Sequence, residues 1–176
     1  MGSKGEEKMM KRDLVIKNRL GLIIFSVLLM IFTSVTLYAG EKRFVFSDLT
    51  ATDKKTGLMW TRDANIAKKD MTWKDAFKFI EKLNKQKYAG YSDWRLPTKG
   101  ELKTLVASTK SQGRDLVPSE VFTEIGFRNV QEHEYWSSST DACCPTLAFY
   151  VDIDNDFAFT IGVDRALDVW PVRGGK

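Results

Sequence analysis

Residues 89–105 read AGYSDWRLPTKGELKTL, and the fold can be read outward from this run. Gly90-Tyr91 makes a turn, and Asp93-Trp94-Arg95-Leu96 then alternates polar and apolar as a short strand does. Pro97, with no N–H to donate, ends that strand. Thr98 opens a helix with Glu101 three places on, the spacing of a capping box. In that arrangement each side chain takes up a backbone N–H that the first helical turn leaves unpaired. Leu102, Leu105 and Val106 follow at helical spacing. The most distinctive residues thus occupy a strand-to-helix junction, a framework position that specifies a fold better than a chemistry.

Upstream, Phe44-Val45-Phe46 reads as a short strand running on to Asp53-Lys54-Lys55-Thr56-Gly57, whose polar residues and glycine mark a turn. Leu58-Met59-Trp60 is the next apolar piece. Thr72 caps a helix in which Trp73, Ala76, Phe77, Ile80 and Leu83 recur at three- and four-residue steps. From Ser108 to Glu134 periodicity fades, which predicts a long loop region. Tyr135 to Ser139 restores strand character. Leu147 to Ile153 pairs with Phe157 to Ile161 across Asp154-Asn155-Asp156, and Trp170-Pro171-Val172-Arg173 makes a final strand. Two helices, a long loop and then antiparallel strands give an α+β domain over residues 41–176.

The first forty residues read differently. Lys11, Arg12, Lys17 and Arg19 precede an uncharged stretch from Leu20 to Tyr38, and Ala39-Gly40 follows it. A basic flank, an apolar core and small residues at its exit describe a cleaved export signal, or an uncleaved anchor of nearly bilayer-spanning length. Either way residues 41–176 are expected outside the cytoplasm: periplasmic, at the cell surface or secreted, with the inner membrane as anchor if Leu20–Tyr38 is retained. The chain holds 27 basic and 23 acidic residues. The first forty contain 6 and 3 of them, which leaves 21 and 20, a net charge of +1. No global excess draws the exported part to nucleic acid.

The exported part resembles the Lcl C-terminal domain family. The resemblance rests on Thr56-Gly57-Leu58-Met59-Trp60, Thr72-Trp73-x-x-Ala76, Gly90 through Pro97 with Thr98-x-x-Glu101-Leu102, Tyr135-Trp136-Ser137-Ser138, and Trp170 through Gly174. It implies a C-type-lectin-like fold, with the chain termini meeting in one sheet and long loops presenting the ligand surface. It also implies recognition of acidic or sulfated glycans in adhesion, since the adhesin that names the family is associated with sulfated polysaccharides. That protein's collagen repeats are missing here. The same superfamily includes the formylglycine-generating sulfatase-modifying enzymes, which carry a similar Arg-Leu-Pro-Thr-x-x-Glu segment. Those enzymes depend on a separated cysteine pair, whereas Cys143 and Cys144 are adjacent, so the resemblance does not extend to that activity.

Within this frame Trp60, Trp73, Trp94, Trp136 and Trp170 offer rings that can stack on sugars, but most sit in the apolar pattern of strands or helices and are expected to pack in the core. Asp93, Arg95, Glu101 and Arg173 are expected to pair or cap as framework charges. The loop cations Lys110, Arg114, Arg128 and Arg165 are the candidate ligand-binding residues, because convergent basic side chains hold sulfate or carboxylate through charge-assisted hydrogen bonds. No catalytic residue is expected. Ser137 to Ser139 lie near His133 in sequence, but no Gly-x-Ser-x-Gly elbow surrounds them. Asp152, Asp154 and Asp156 match the opening of a calcium loop, but Phe157 and Val163 stand where such a loop needs Gly and Glu. A hairpin turn accounts for the same residues, so no cofactor is expected, with Ca²⁺ in a lectin-like loop as the alternative. Cys143 and Cys144 lack company as metal ligands, His133 being the only histidine. The reading is therefore an exported non-enzymatic recognition module for a glycan, or alternatively a membrane-anchored envelope module that binds protein.

Overall fold

The computed structural model describes Met9, Lys17, Asn18 and residues 42–110 and 116–175. Leu20–Tyr38 and Arg114 lie outside the described residues. Among the described residues no helix is long and apolar enough to cross a membrane. The chain divides into Met1–Lys42 and Arg43–Lys176, and the second unit carries both sheets.

The first sheet joins β1 (Phe44–Phe46), β2 (Thr50–Asp53), β3 (Met59–Thr61) and β7 (Val172–Arg173), in the order β1-β2-β3-β7 and antiparallel throughout. The two ends of the unit thus meet in one sheet. The sequence reading did not separate β2 from β1. Ser47 makes the separation: its N–H donates to the Thr50 carbonyl at 2.8 Å and its Oγ accepts from the Thr50 N–H at 3.0 Å. The next turn is organised by Asp53, which accepts from the Lys55 N–H and the Thr56 hydroxyl. Gly57 completes it at φ +70°, a conformation that favours glycine.

Helix α1 (Trp73–Lys85) starts at Thr72, whose Oγ1 accepts from the Asp75 N–H, and it buries Ala76, Ile80 and Leu83. Helix α2 (Lys99–Val106) has the full capping box, with Glu101 N–H to Thr98 Oγ1 at 3.2 Å and Thr98 N–H to Glu101 Oε2 at 2.7 Å. Asp93–Leu96 is extended but is not a strand. Only Arg95 forms a two-way backbone bridge, with Val172, at 2.8 and 3.0 Å. The Asn84 side chain explains why: its amide takes both the N–H and the carbonyl of Trp94 at 2.8 Å, standing in for a neighbouring strand.

A third helix, α3 (Pro118–Ile125), occupies part of the expected long loop. Its end signals were present, Pro118 in the first turn and Gly126 at φ +123° after the last, but two turns are too few for periodicity to stand out. The architecture is α+β.

The second sheet has the order β4-β5-β6, from β4 (Glu134–Thr140), β5 (Leu147–Asp152) and β6 (Phe157–Gly162). Cross-strand partners form rungs: Glu134–Asp152–Phe157 and Trp136–Tyr150–Phe159, with Tyr135–Val151–Ala158 pointing the opposite way. That opposite face packs on a core centred on Trp170, whose indole lies 5.2–5.7 Å from Trp60, Phe122, Phe127 and Tyr135. The other face meets a second core, where Trp136, Ala148 and Ile161 join Ile80, Leu83, Trp94 and Leu96. Three of the buried indoles keep their polar atom paired: Trp170 donates to Thr61 O, Trp136 to Met71 O and Trp94 to Tyr88 O. The Trp60 N–H has no hydrogen-bond partner among the described residues.

Candidate functional site

The framework charges pair with one another. Arg95 forks onto Glu101 at 2.8 and 2.7 Å and also donates to the Gly174 carbonyl at 2.8 Å. Burial opposes ionisation of Glu101, but the hydrogen bonds from Arg95 and from the Thr98 N–H win and hold its pKa below the ordinary value. Arg173 forks onto Asp93 at 2.7 and 3.0 Å, with its guanidinium 3.7 Å above the Tyr91 ring. Trp60, Trp94, Trp136 and Trp170 are all buried.

The loop cations are not brought together. Lys110 pairs with Asp156, which also holds Lys103, at the β5–β6 turn. Arg165 is exposed in the turn after β6, at the opposite end of that six-residue strand and so about 20 Å away. Arg128 is exposed on another segment, whose backbone pairs with Arg62 and Ala64. The described members of the expected basic cluster therefore sit on three different segments. Physically, the Asp156 ion pair holds Lys110 and a backbone bridge holds the Arg128 segment, so these charges sit on different elements. Arg165 adjoins a hollow with other cations: Ala166 lines an open space of about 450 Å³ together with Lys69, Lys78 and Lys82, offset by Asp70 and Asp75.

The three aspartates of the calcium-like run also turn away from one another. Asp152 accepts from the N–H and side-chain amide of Asn155, Asp154 accepts from the N–H and hydroxyl of Ser119, and Asp156 takes the two lysines. The serines of β4 are likewise committed to backbone. Ser137 donates to Phe149 O, Ser138 donates to Pro97 O, and Ser139 accepts from the Lys99 N–H.

What the sequence reading missed is an exposed aromatic face on the second sheet. Helix α1 and its core cover the Trp136, Ala148 and Ile161 part of that face and leave the hairpin-turn end open. There Phe157 is 57% exposed and Phe159 is 55% exposed. The rings form a chain, Tyr150 to Phe159 at 6.4 Å and Phe159 to Phe157 at 5.8 Å. Glu134 and Asp152 belong to the Phe157 rung, and with burial they hold the Tyr150 phenol above its ordinary pKa. The Glu134 carboxylate has no hydrogen bond or ion pair to any described residue. Strand β6 is also the sheet's edge, with no described strand on its outer side. The period-two apolar pattern of Phe157, Phe159 and Ile161 was visible in the sequence. The pattern does not show which of its members the core covers: Ile161 packs on the second core, whereas Phe157 and Phe159 face water.

Two further groups carry unusual chemistry. Asp168 is buried, its Oδ1 has no hydrogen-bond partner among the described residues, and burial and the nearby Asp70 charge push its pKa up to about 6, with His133 opposing. In the β4–β5 loop, Asp141 lies against Cys143, the third donor that the cysteine pair lacked in the sequence reading.

The chain belongs to the Lcl C-terminal domain family, which matches residues 49–173. A search of curated proteins found no match to the chain.

Proposed function

We propose that this chain is an exported, non-catalytic recognition module that binds a glycan on the aromatic face of its second sheet. The observation that carries this reading is the Tyr150–Phe159–Phe157 strip beside the Glu134 and Asp152 carboxylates. Exposed aromatic rings offer flat apolar area at little side-chain entropy cost, and the C–H face of a sugar ring fits against them. Carboxylates and the Tyr150 hydroxyl alongside can take sugar hydroxyls as hydrogen-bond partners. Two carboxylates on the same face repel an acidic polymer, so a neutral glycan suits it better than a sulfated one. Family membership, the leader pattern of residues 1–40 and the C-type-lectin-like likeness support export and recognition over catalysis.

The test is binding of the full chain to an array holding neutral, sulfated and uronic-acid glycans near physiological salt. Binding to neutral glycans that a Phe157→Ala, Phe159→Ala double variant abolishes is the expected result. Binding confined to sulfated polymers and indifferent to the double variant would overturn this face and point to the Lys69–Lys78–Lys82 hollow.

The open outer edge of β6 favours one second reading, a membrane-anchored module that takes a strand of a partner protein along that edge. A photocrosslinker at Phe157 that captures an envelope protein, in chains that keep residues 1–40, would select it.

A further inference from the structure

The loop Asp141-Ala142-Cys143-Cys144-Pro145-Thr146 joins β4 to β5, at the end of the sheet opposite the Phe157 rung. The loop is closed by backbone bonds from Asp141 N to Leu147 O at 3.3 Å and from Leu147 N to Cys144 O at 2.9 Å. Inside it the Asp141 carboxylate accepts from the Cys143 N–H at 2.9 Å and from the Cys143 thiol at 2.9 Å. The two sulfurs lie 3.7 Å apart. The three donor atoms all fall within 4.8 Å of one another, with Cys143 exposed and Cys144 half-buried.

We propose that Asp141, Cys143 and Cys144 form a solvent-facing site for a thiophilic d¹⁰ cation of the zinc class. The fit can be checked against coordination geometry. Zn–S bonds of about 2.3 Å at a tetrahedral angle put two sulfurs about 3.8 Å apart. The observed sulfur separation of 3.7 Å matches that edge without movement. With Zn–O of about 2.1 Å, a sulfur and a carboxylate oxygen belong about 3.6 Å apart. Asp141 Oδ1, now 2.9 Å from Cys143 Sγ, has only to draw back by roughly 0.7 Å as the thiol proton between them leaves. A disulfide would instead require the sulfurs to close to about 2.05 Å between neighbouring residues, whose Cα spacing is shorter than disulfides ordinarily bridge.

Two thiolates and a carboxylate select soft or borderline cations over Ca²⁺ or Mg²⁺, which take oxygen ligands. Binding releases both thiol protons to solvent, so the site carries two S⁻ donors, one carboxylate and an open fourth position toward water. Three protein ligands with one free position is the pattern of an exchangeable site, distinct from the closed four-ligand sites that stabilise folds. The site stands apart from the glycan face and does not depend on that reading.

The experiment is a Cd²⁺ titration of the reduced full chain under anaerobic conditions, followed by the thiolate-to-metal absorption in the near ultraviolet. One Cd²⁺ per chain is expected, with Zn²⁺ displacing it. Cys143→Ser and Cys144→Ser should each abolish the band. Asp141→Asn should weaken binding by at least about tenfold, the lower range for losing even an outer partner of a metal ligand. Near-ultraviolet circular dichroism of the buried tryptophans reports that each loop variant keeps its fold. No band, one metal per two chains, or an affinity unchanged by Asp141→Asn would overturn the site.

Discussion

The two sheets of this domain are finished in opposite ways. Around the first, Arg43 forks onto Asp53 at 2.8 and 2.6 Å, Arg95 onto Glu101, and Arg173 onto Asp93, so that ion pairs link β1 to β2, the Arg95 segment to α2, and β7 to the segment before Leu96. Around the second, the edge strand β6 has no such fastening to a described residue along its outer side and points two phenylalanine rings at water. Both sheets press on the same Trp170-centred core from different sides. A domain that closes the sheet carrying its chain ends, and leaves another sheet half covered, separates holding from displaying. Substitutions should therefore cost stability in proportion to their closeness to Trp170 and to the ion pairs, and cost little at the two exposed rings of β6.

The largest effect is expected at Trp170 itself. Its indole touches four aromatic rings and donates to Thr61 O at 2.9 Å. Trp170→Ala should lower unfolding free energy by about 3–5 kcal/mol, read from the urea midpoint. A loss under about 1 kcal/mol would mean that the two sheets do not share one core.

The ion pairs come next. Arg95 is 38% exposed and Glu101 is 21% exposed at the side chain, so solvent screens part of their attraction. Arg95→Ala should cost about 1–2 kcal/mol, most of it from the lost bidentate bonds and the Gly174 contact. The pair also sets a pH dependence. Glu101 has its folded pKa below the ordinary 4.5, so its contribution is present above that value and is lost as pH falls through the lowered one. Glu101→Gln should flatten the acid limb of the stability curve. An acid limb identical to that of the unaltered chain would break the comparison.

Asp168 sits where the second sheet meets the Met71 segment, and its effect has the opposite sign. Its folded pKa is raised from 3.8 to about 6, so between those values the folded chain keeps a proton that the unfolded chain has released. Stability therefore falls as pH rises across that window and is level above it. Asp168→Asn, which cannot ionise, should stabilise the domain by about 1–2 kcal/mol at neutral pH and leave it unchanged below the window. Equal effects at both ends of the range would assign the change to packing.

Much of this framework was legible because local chemistry dictates it. Thr98 and Glu101 announce a capping box, and Asp154-Asn155-Asp156 a hairpin turn, from spacing alone, and both elements form. The misses have a common cause in tertiary context. The Asp93–Leu96 run has strand alternation, but one side is satisfied by the Asn84 amide, which no window of sequence reveals. Lys110, Arg128 and Arg165 look alike on paper, yet an aspartate and two separate turns decide where each charge ends. The outward turn of Phe157 and Phe159 depends on how far α1 reaches across the sheet, a property of the assembled core.

The smallest effect should come from the ring that the comparison singles out. Phe159 shares a rung with Tyr150 and Trp136, so three aromatic residues on one line across the sheet have very different surroundings. Trp136 is fully buried and its N–H is tied to Met71 O at 2.8 Å, whereas Phe159 is 55% exposed and pairs with the rings of Tyr150 and Phe157. Trp136→Ala removes core volume and should cost about 3–5 kcal/mol, while Phe159→Ala gives up part of one cross-strand pair and should cost about 0.5 kcal/mol or less. Thermal or urea unfolding of the two variants side by side measures the contrast. A Phe159→Ala loss above about 1 kcal/mol would make the strip a packing surface that happens to face water. Near-silence in stability, joined to a loss of ligand binding, would mean that the ring is kept for what it touches outside the domain.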